Sequence, residues 1–200
     1  MNPHFIFNAL NSIQHFIIKN ESNFALSYLS KFSKLVRNIL ENSVQNRISL
    51  EDEIAFLKNY IEIESFRFNN RITFEINLDS DLDSETIEIP SMLIQPYVEN
   101  AIVHGLMYKK SEGKVSVTFA KEGSLLKCTI LDNGIGRKAS REIKDKLAKS
   151  HQSFGMPITK SRLEILNKSK DSNTTVIIED VLGKEQTVIG TKVEIYIPID

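Results

Sequence analysis

The sequence predicts an α+β protein in which a helical hairpin precedes an α/β sandwich with a mixed or antiparallel sheet. Two observations lead to this fold class. Apolar residues recur at helical spacing through almost all of the first 70 residues. From Ile72 onward the period changes to the alternation of a strand, through Phe74, Ile76 and Leu78. We therefore expect a boundary near residue 70 and two domains, residues 1–70 and 71–200.

The N-terminal region predicts two long amphipathic helices. The first covers residues 3–43, with an interruption at Asn20–Asn23 that is either a break or a bend. Ser49 precedes Asp52 by three residues, which is a helix-start signature, so a second helix follows there. A hairpin of this kind cannot cover its own apolar stripes, and we expect a homodimer that forms a four-helix bundle. The expected apolar stripe of the first helix contains Ile6, Ala9, Leu10, Ile13, Phe16 and Ile17.

The C-terminal region predicts strands alternating with helices. Besides the strand at 72–78, strands are expected at 114–120, 125–131, 174–181 and 192–198. A helix is expected over 91–104, with Gly105 as its C-cap, and Pro96 implies either a kink or a late start of this helix. A polar stretch at 137–152 and a helix at 157–168 complete the pattern.

Composition limits the classes of function. Of the 200 residues, 41% are hydrophobic and 26% are charged, as in ordinary globular proteins. The net charge of −1 gives no electrostatic reason to expect a nucleic-acid partner. Cys128 stands alone, which fits a buried thiol in a reducing cytoplasm. No apolar run approaches the ~20 residues of a membrane span. Because the chain starts inside a motif, we expect a fragment whose missing N-terminal part carries a sensor or a membrane anchor.

The motif Asn2-Pro3-His4-Phe5-Ile6-Phe7-Asn8 starts the chain with a histidine in a first helical turn. Asn2 suits the N-cap and Pro3 the first helical position. The helix dipole disfavours imidazolium there, so His4 tends toward its neutral, nucleophilic form. Helical spacing places it on one polar face with Asn8, Asn11 and His15. Taken alone, this pattern also fits a polar surface near a terminus.

Two further motifs contain residues suited to a metal–nucleotide ligand. In Glu99-Asn100-Ala101-Ile102-Val103-His104-Gly105, the Asn100 amide can hold Mg²⁺, and His104, one turn later, can contact phosphate. Asp132-Asn133-Gly134-Ile135-Gly136 follows an apolar strand. The Asp132 carboxylate there can accept a hydrogen bond from an exocyclic amine such as that of adenine. Gly134 and Gly136 permit a tight turn and close approach of a ligand. Each motif alone also fits ordinary structure: a capped helix and a turn.

The last motifs are a phosphate cradle and a strand start. Ser153-Phe154-Gly155-Met156 precedes a predicted helix, and a helix N-terminus after a glycine suits phosphate. The basic stretch before it, which begins at Arg137, fits either a mobile cover over a polyphosphate or a solvated helix. Gly190-Thr191 opens the final strand.

As an ordered set, these motifs resemble the sensor histidine kinases of the LytS type, over essentially all 200 residues. Residues 2–8 match the phosphoacceptor motif of that family. The run from Gln95 to Ala101 looks like the asparagine box of the ATP-binding domain shared by gyrase, heat-shock chaperones, histidine kinases and mismatch-repair proteins. The matches to its glycine boxes are Asp132, Gly134 and Gly136; Gly155 and Arg162; and Gly190 with Thr191.

The resemblance implies ATP and Mg²⁺ as cofactors, autophosphorylation of His4, and transfer of the phosphoryl group to an aspartate of a response regulator. Asn8 would orient His4. Glu99 would act either as a base or as a residue that positions the ligand-binding side chains without contacting the ligand. Arg137 and Ser153 would join the ATP-binding residues. The full-length protein would be anchored in the inner membrane of a bacterium, with this core in the cytoplasm.

Two departures from the family pattern leave alternatives open. Ser153 stands where a glycine is expected, and Met156-Pro157 follow Gly155, which keeps open a degraded, ATP-binding dimer that acts as a scaffold or sensor. Pro96 occupies the position of the glutamate that ATP-hydrolysing relatives carry, which argues against an ATPase clamp of the gyrase type. A helical interaction module with an unrelated α/β domain is the third alternative.

Overall fold

The N-terminal region contains three helices. The computed structural model describes residues 3–67, 71–109, 111–147, 174–183 and 186–199. Helix α1 spans Pro3–Ile18, α2 spans Ser22–Val44 and α3 spans Leu50–Arg67. The interruption left open as a break or a bend is a break: Asn20 has a φ of 58°, and the Glu21 N–H donates to the Phe16 carbonyl at 2.9 Å. Asparagine tolerates this left-handed conformation, which ends α1 as a C-terminal cap.

Helix α1 packs against its own chain through Phe5 and through part of the expected apolar stripe, namely Ala9, Ile13 and Phe16. Phe5 and Ala9 are buried, and the Phe5 ring lies 5.4 Å from that of Tyr60 on α3. The other members of this stripe, Ile6, Leu10 and Ile17, are exposed in the single chain. The helix is apolar on two sides, and helical periodicity alone does not indicate which side faces its own chain.

Helix α3 lies at the centre of the molecule and is buried on several sides. Its buried apolar residues are Phe56, Leu57, Tyr60, Ile61 and Ile63. The Asp52 N–H donates to the Ser49 hydroxyl at 3.0 Å, so the predicted helix-start signature is confirmed. At the other end, the Phe66 ring packs edge-on to Tyr28 of α2 at 5.7 Å. This helix therefore connects the first two helices with the rest of the fold.

The main sheet is mixed, as the sequence predicts. Its order is β2-β4-β5-β7-β6, and only the β2–β4 pair of this sheet is parallel. The predicted strands correspond to β2 (Ile72–Leu78), β4 (Gly113–Glu122), β5 (Leu125–Asp132), β6 (Thr175–Leu182) and β7 (Val188–Pro198). Buried residues alternate along β4 and β5, and Phe119, Leu126 and Cys128 pack there under the helices.

Two short strands were not predicted. Strand β1 (Arg47–Ser49) pairs antiparallel with β3 (Glu88–Pro90), and Ile48 faces Ile89 across this pair. Three residues are too few to display an alternating pattern. The pair joins the segment before α3 to the segment before the next helix, across position 70. The domain boundary near residue 70 stays a prediction.

Two further helices border the functional motifs. Helix α4 spans Gln95–Asn100 and continues as a π-helical turn, Ala101–Leu106, which we call the π turn. The late start allowed by Pro96 is what the structure has, with the proline in the first turn. Gly105 is not a C-cap, and that expectation was wrong. Gly105 lies inside the π turn, and the chain stays helical to Leu106.

Helix α5 spans Gly136–Leu147 and accounts for the first part of the polar stretch predicted at 137–152. The helix predicted at 157–168 lies outside the described residues. Among the helices of the described ranges, none combines the length and the apolar character needed to cross a membrane.

Candidate functional site

The C-terminal end of β5 meets the π turn and the start of α5. Asp132 ends β5 and faces Thr191 in the ladder with β7. The loop from Asn133 to Ile135 then enters α5, and its Ile135 N–H donates to the Gly105 carbonyl at 3.0 Å. The structure thus brings together two motifs that are 27 residues apart in sequence, from Gly105 to Asp132.

Glycines make this approach possible. A Cβ on Gly134 would lie 2.5 Å from the backbone carbonyl carbon of Gly105. A Cβ on Gly105 would lie 3.0 Å from Oδ1 of Asp132, and one on Gly190 would lie 1.9 Å from the Asp132 carbonyl oxygen. A side chain at Gly134 would therefore push the Asp132 loop and the π turn apart, and one at Gly190 would push β7 away from the end of β5. Gly190, which the sequence marks as a strand start and as a match to a glycine box, lies against the Asp132 backbone.

Asp132 holds a nearly buried carboxyl group, with 5% of the residue exposed. Its Oδ1 accepts the Gly134 N–H at 2.8 Å, and the hydroxyl and N–H of Thr191 also donate to this carboxyl. Burial raises the pKa of Asp132 to about 6, although these bonds and the nearby Lys109 ammonium act in the opposite direction. At neutral pH the group is therefore mainly a charged acceptor in a site of low dielectric constant.

Asn133 and Lys109 are structural residues that sequence reasoning missed. Oδ1 of Asn133 accepts the Lys114 N–H at 2.7 Å, and Nδ2 donates to the Glu112 carbonyl at 3.4 Å. Nζ of Lys109 donates to the Asn133 carbonyl. These bonds tie the Asp132 loop to the start of β4. The Asp-Asn-Gly signal indicated a turn, but it gave no sign of these partners.

Glu99, Asn100 and His104 follow one another through the end of α4 and the π turn, and each is half-buried. Burial raises the pKa of the Glu99 carboxyl. The backbone of this segment is anchored from the other side, because Gly105 lies against Asp132. A change of helical pitch between Asn100 and Gly105 is the kind of irregularity that is frequent at functional sites.

Arg137 lies at the start of α5 and forms an ion pair. Its Nε and Nη2 donate to Oδ1 and Oδ2 of Asp180 on β6, at 2.9 and 3.1 Å. The pairing raises the pKa of Arg137 and lowers that of Asp180. Gly136, just before it, has a φ of 78°. The predicted contact of Arg137 with a phosphate stays a prediction, and in the described structure the guanidinium holds α5 to β6.

His4 lies in the first turn of α1, as the sequence predicts, and Asn2 lies outside the described residues. Phe5, next to His4, is buried against α2 and α3. Asn8 is half-buried on the next turn, and Asn11 and His15 are exposed. The remaining predicted site residues, Ser153, Gly155 and Arg162, lie outside the described residues.

Comparisons with known proteins show to which family the chain belongs. Residues 1–72 match the family described as Histidine kinase. The sensor histidine kinase YpdA of Escherichia coli is 37% identical over 136 residues, which are 68% of this chain and 23% of that protein. The sensor protein LytS of Staphylococcus saprophyticus is 34% identical over 173 residues, which are 86% of this chain and 28% of that protein. The chain belongs to the histidine kinase family. It spans about a quarter of the length of these curated relatives.

Solved histidine kinases share the fold of this family member. The histidine kinase domain of the Erythrobacter litoralis blue-light activated histidine kinase has a TM-score of 0.53, with 15% identity, and the match covers 98% of this chain and 93% of that one. Acinetobacter baumannii histidine kinase AdeS has a TM-score of 0.51, with 13% identity and full coverage of both chains. At such identities the likeness concerns the fold alone. The resemblance and the fold class read from the sequence are confirmed.

The contact between Gly134 and Gly105 yields a test of this histidine kinase fold. We expect Gly134→Ala to lower the free energy of unfolding by about 1–3 kcal/mol, because the new methyl group overlaps backbone that cannot move alone. Urea denaturation measures this change. Gly123→Ala is the comparison, since a Cβ there meets nothing within 4 Å and adds only the strain of a φ of 62°, about 1 kcal/mol. Equal stability of Gly134→Ala and the unchanged chain would contradict the packing described above.

Proposed function

We propose that this chain is the autokinase core of a two-component sensor, which uses ATP to phosphorylate His4 and passes the phosphoryl group to an aspartate of a response regulator. One observation carries the proposal. The buried Asp132 carboxyl lies against the glycine of the π turn, directly after the helix that carries Asn100. In the proposed function, Asp132 would be the nucleobase acceptor and Asn100 the metal-binding amide, and this arrangement would hold them in a fixed relation.

The Asp132 site suits the adenine base. The carboxylate has lone pairs beyond those that accept from Gly134 and Thr191, and it can take a further bond from an exocyclic amine. Its surroundings exclude most water, so a hydrogen bond to a ligand is stronger there than at the surface. Gly134 packs against the Gly105 backbone and so fixes the loop that follows the carboxyl, and Thr191 lies beside that carboxyl.

The end of α4 suits the metal and the phosphates. The Asn100 amide oxygen would hold Mg²⁺, which typically takes few protein ligands and keeps several waters. When bound, the ion would supply positive charge next to the phosphates. His104 would contact phosphate, and Glu99, whose pKa burial raises, is a candidate base or a support for Asn100. Arg137, Ser153, Gly155 and Arg162 complete the proposed ATP-binding set.

The proposed reaction is a phosphoryl transfer in two steps. A ring nitrogen of neutral His4 forms a bond with the γ-phosphorus of ATP, the bond from that phosphorus to the β–γ bridging oxygen breaks, and ADP leaves with the electron pair. An aspartate carboxylate of the response regulator then forms a bond with the same phosphorus, and the phosphorus–nitrogen bond breaks. Asn8 would orient the imidazole. The chain supplies mainly position and charge, as such transfers require.

One feature argues against hydrolysis, and another suits a phosphoacceptor held in place. Pro96 occupies the first turn of α4, where relatives that hydrolyse ATP carry a glutamate, so a side chain that activates water is missing from that position. In addition, Phe5 anchors the first turn of α1 to α3, which keeps the His4 backbone in a defined place. A degraded scaffold is also compatible with Pro96, and the labelling test of His4 below distinguishes it from a kinase.

A homodimer is part of the proposal, because α1 and α2 leave a broad apolar surface exposed. We call it the α1–α2 apolar face; it contains Ile6, Leu10, Ile17, Leu26, Leu29 and Leu40. Exposed apolar patches of this kind mark interfaces between proteins. A second copy of the chain would cover the face by forming the predicted four-helix bundle. The sensor and membrane anchor expected upstream stay predictions.

The dimer can be tested at Leu26, which is 65% exposed on α2. We expect Leu26→Glu to weaken dimerisation by about a hundredfold or more, because the interface would bury an unpaired carboxylate. Sedimentation over a range of concentrations measures the dissociation constant. Leu182→Glu, at a leucine of β6 that is 58% exposed, is the matched control and should sediment like the unchanged chain. A monomeric unchanged chain would contradict the proposal.

The phosphoacceptor can be tested with matched histidine variants. His4→Gln should reduce incorporation of label from γ-labelled ATP to background, because no ring nitrogen remains to attack, while nucleotide affinity stays unchanged. His15→Gln, at an exposed histidine of the same helix, should label like the unchanged chain. Acid-labile label that persists in His4→Gln would show that another residue is the acceptor.

The metal ligand can be tested at Asn100. Asn100→Ala should lower Mg²⁺-dependent labelling by about a hundredfold or more, as expected when a group that stabilises transition-state charge is lost. Asn77→Ala, at an exposed position of β2, should leave labelling unchanged. Labelling rates at saturating ATP, measured over a range of Mg²⁺ concentrations, decide the case. Normal Mg²⁺ dependence in Asn100→Ala would remove Asn100 from the site.

A further inference from the structure

The carboxyl group of Glu53 is almost fully buried at the first turn of α3, with 1% of the residue exposed. It accepts hydrogen bonds from the backbone N–H groups of Ile94 and Gln95, at the start of α4. A side chain of one helix therefore caps the N-terminus of another helix. Glu51, two residues earlier on α3, is exposed.

Helix α4 has no cap of its own. The residue before it is Ile94, with φ and ψ of −84° and −39° and without a side-chain cap bond. Pro96 in the first turn contributes no N–H. The first N–H groups of any helix lack partners within the helix, and buried unpaired donors are destabilising. Glu53 satisfies two such donors, and its charge lies at the favourable end of the helix dipole.

The Glu53 carboxyl is matched to the N-terminus of α4. Within the described residues its Oε1 has no hydrogen-bond partner, and burial raises the pKa of this group to about 7. An apolar side chain of similar size would avoid the cost of burying the carboxyl, but it would leave the Ile94 and Gln95 N–H groups without their acceptor. The carboxyl thus supplies a link between α3 and the start of α4 that an apolar side chain cannot supply.

A second contact fixes the same point from α2. The Ser91 hydroxyl donates to the Asn42 carbonyl at 2.5 Å, and the Ser91 N–H donates to the Asn46 carbonyl at 3.1 Å. The segment that leads into α4 is thus tied to the end of α2 by Ser91 and to α3 by Glu53. Helix α4 is only six residues long and ends at Asn100. Because so short a helix moves as a rigid unit, a displacement of its first residue also displaces Asn100.

We propose that Glu53 is a positioning residue of the nucleotide site: by holding the Ile94 and Gln95 N–H groups, it sets the position of Asn100 relative to Asp132. This inference rests on the proposed function, since it takes Asn100 as the Mg²⁺ ligand. It also connects the helical region to that site, because the same α3 packs against α1 through Tyr60 and Phe5. Glu53 touches no substrate and acts through α4.

The experiment compares Glu53→Met and Glu53→Gln in the whole 200-residue chain. Methionine fills the space of glutamate but accepts no N–H bond, whereas the glutamine carbonyl still accepts one. Calorimetry measures the affinity for ATP with Mg²⁺ and for ATP with a chelator, well below the melting temperature of each variant. Hydrogen exchange of the Ile94 and Gln95 amides reports the cap directly. Glu51→Met and Glu51→Gln are the matched controls on the same turn of α3.

We expect Glu53→Met to weaken binding of ATP with Mg²⁺ by about tenfold, the equivalent of about 1.4 kcal/mol. Binding with the chelator should change by no more than about twofold, since Asn100 acts through the metal. Exchange of the two amides should become faster. Glu53→Gln should restore both readouts to near the values of the unchanged chain, and the two Glu51 variants should not differ from it.

Other outcomes would overturn either the inference about Glu53 or the proposed function. If Glu53→Met lowers the melting temperature but binds ATP with Mg²⁺ as tightly as the unchanged chain, Glu53 is a packing residue and the inference is overturned. If Glu53→Met does not fold, Glu53→Gln decides, and a folded glutamine variant with lost Mg²⁺-dependent affinity overturns the inference as well. Failure of the unchanged chain to bind ATP would instead overturn the proposed function, and this inference with it.

Discussion

The backbone contact between Gly134 and Gly105 is the constraint on which the candidate site depends. It lets the end of β5 touch the π turn, so that the Ile135 N–H and the Gly105 carbonyl form a hydrogen bond across the two motifs. Without it, Asp132 would belong to the sheet and Asn100 to a helix with no fixed relation between them. Gly190 adds the same kind of close approach on the other side of Asp132. Backbone atoms in direct contact are less deformable than side chains, and a binding site needs such a rigid frame.

Helix α3 fixes the N-terminal helices and the start of α4 relative to each other. It is buried against α1 and α2 at one end and against the start of α4 at the other. The short β1–β3 ladder and the Ser91 bonds tie the segment before α3 and the end of α2 to the segment before α4. Packed groups thus form a continuous path from α1 and α2 to the candidate site.

The sequence predicted features that depend on local pattern and missed those that depend on tertiary contact. The alternation of apolar and polar residues in β4 and β5 was visible in the sequence because each strand has one buried face. The three-residue strands β1 and β3 display no period, and the capping role of Glu53 has no local signal because its partners are about forty residues away in sequence. Gly105 carried the usual signal of a helix end, but the Asp132 loop keeps that residue inside the π turn. In α1 the pattern was ambiguous for a physical reason, since both sides of the helix are apolar.

Three carboxyl groups whose pKa is raised by burial surround the unit formed by α4 and the π turn. Glu53 lies at the start of α4, Glu99 near its end, and Asp132 against Gly105. Their positions relative to the helix dipole differ. The dipole favours the charge of Glu53, whereas Glu99 and Asp132 lie toward the end where carbonyl groups make the potential negative. A cation near Asn100 would offset that negative potential, so the proposed nucleotide would fit this unit better with a divalent ion than without one.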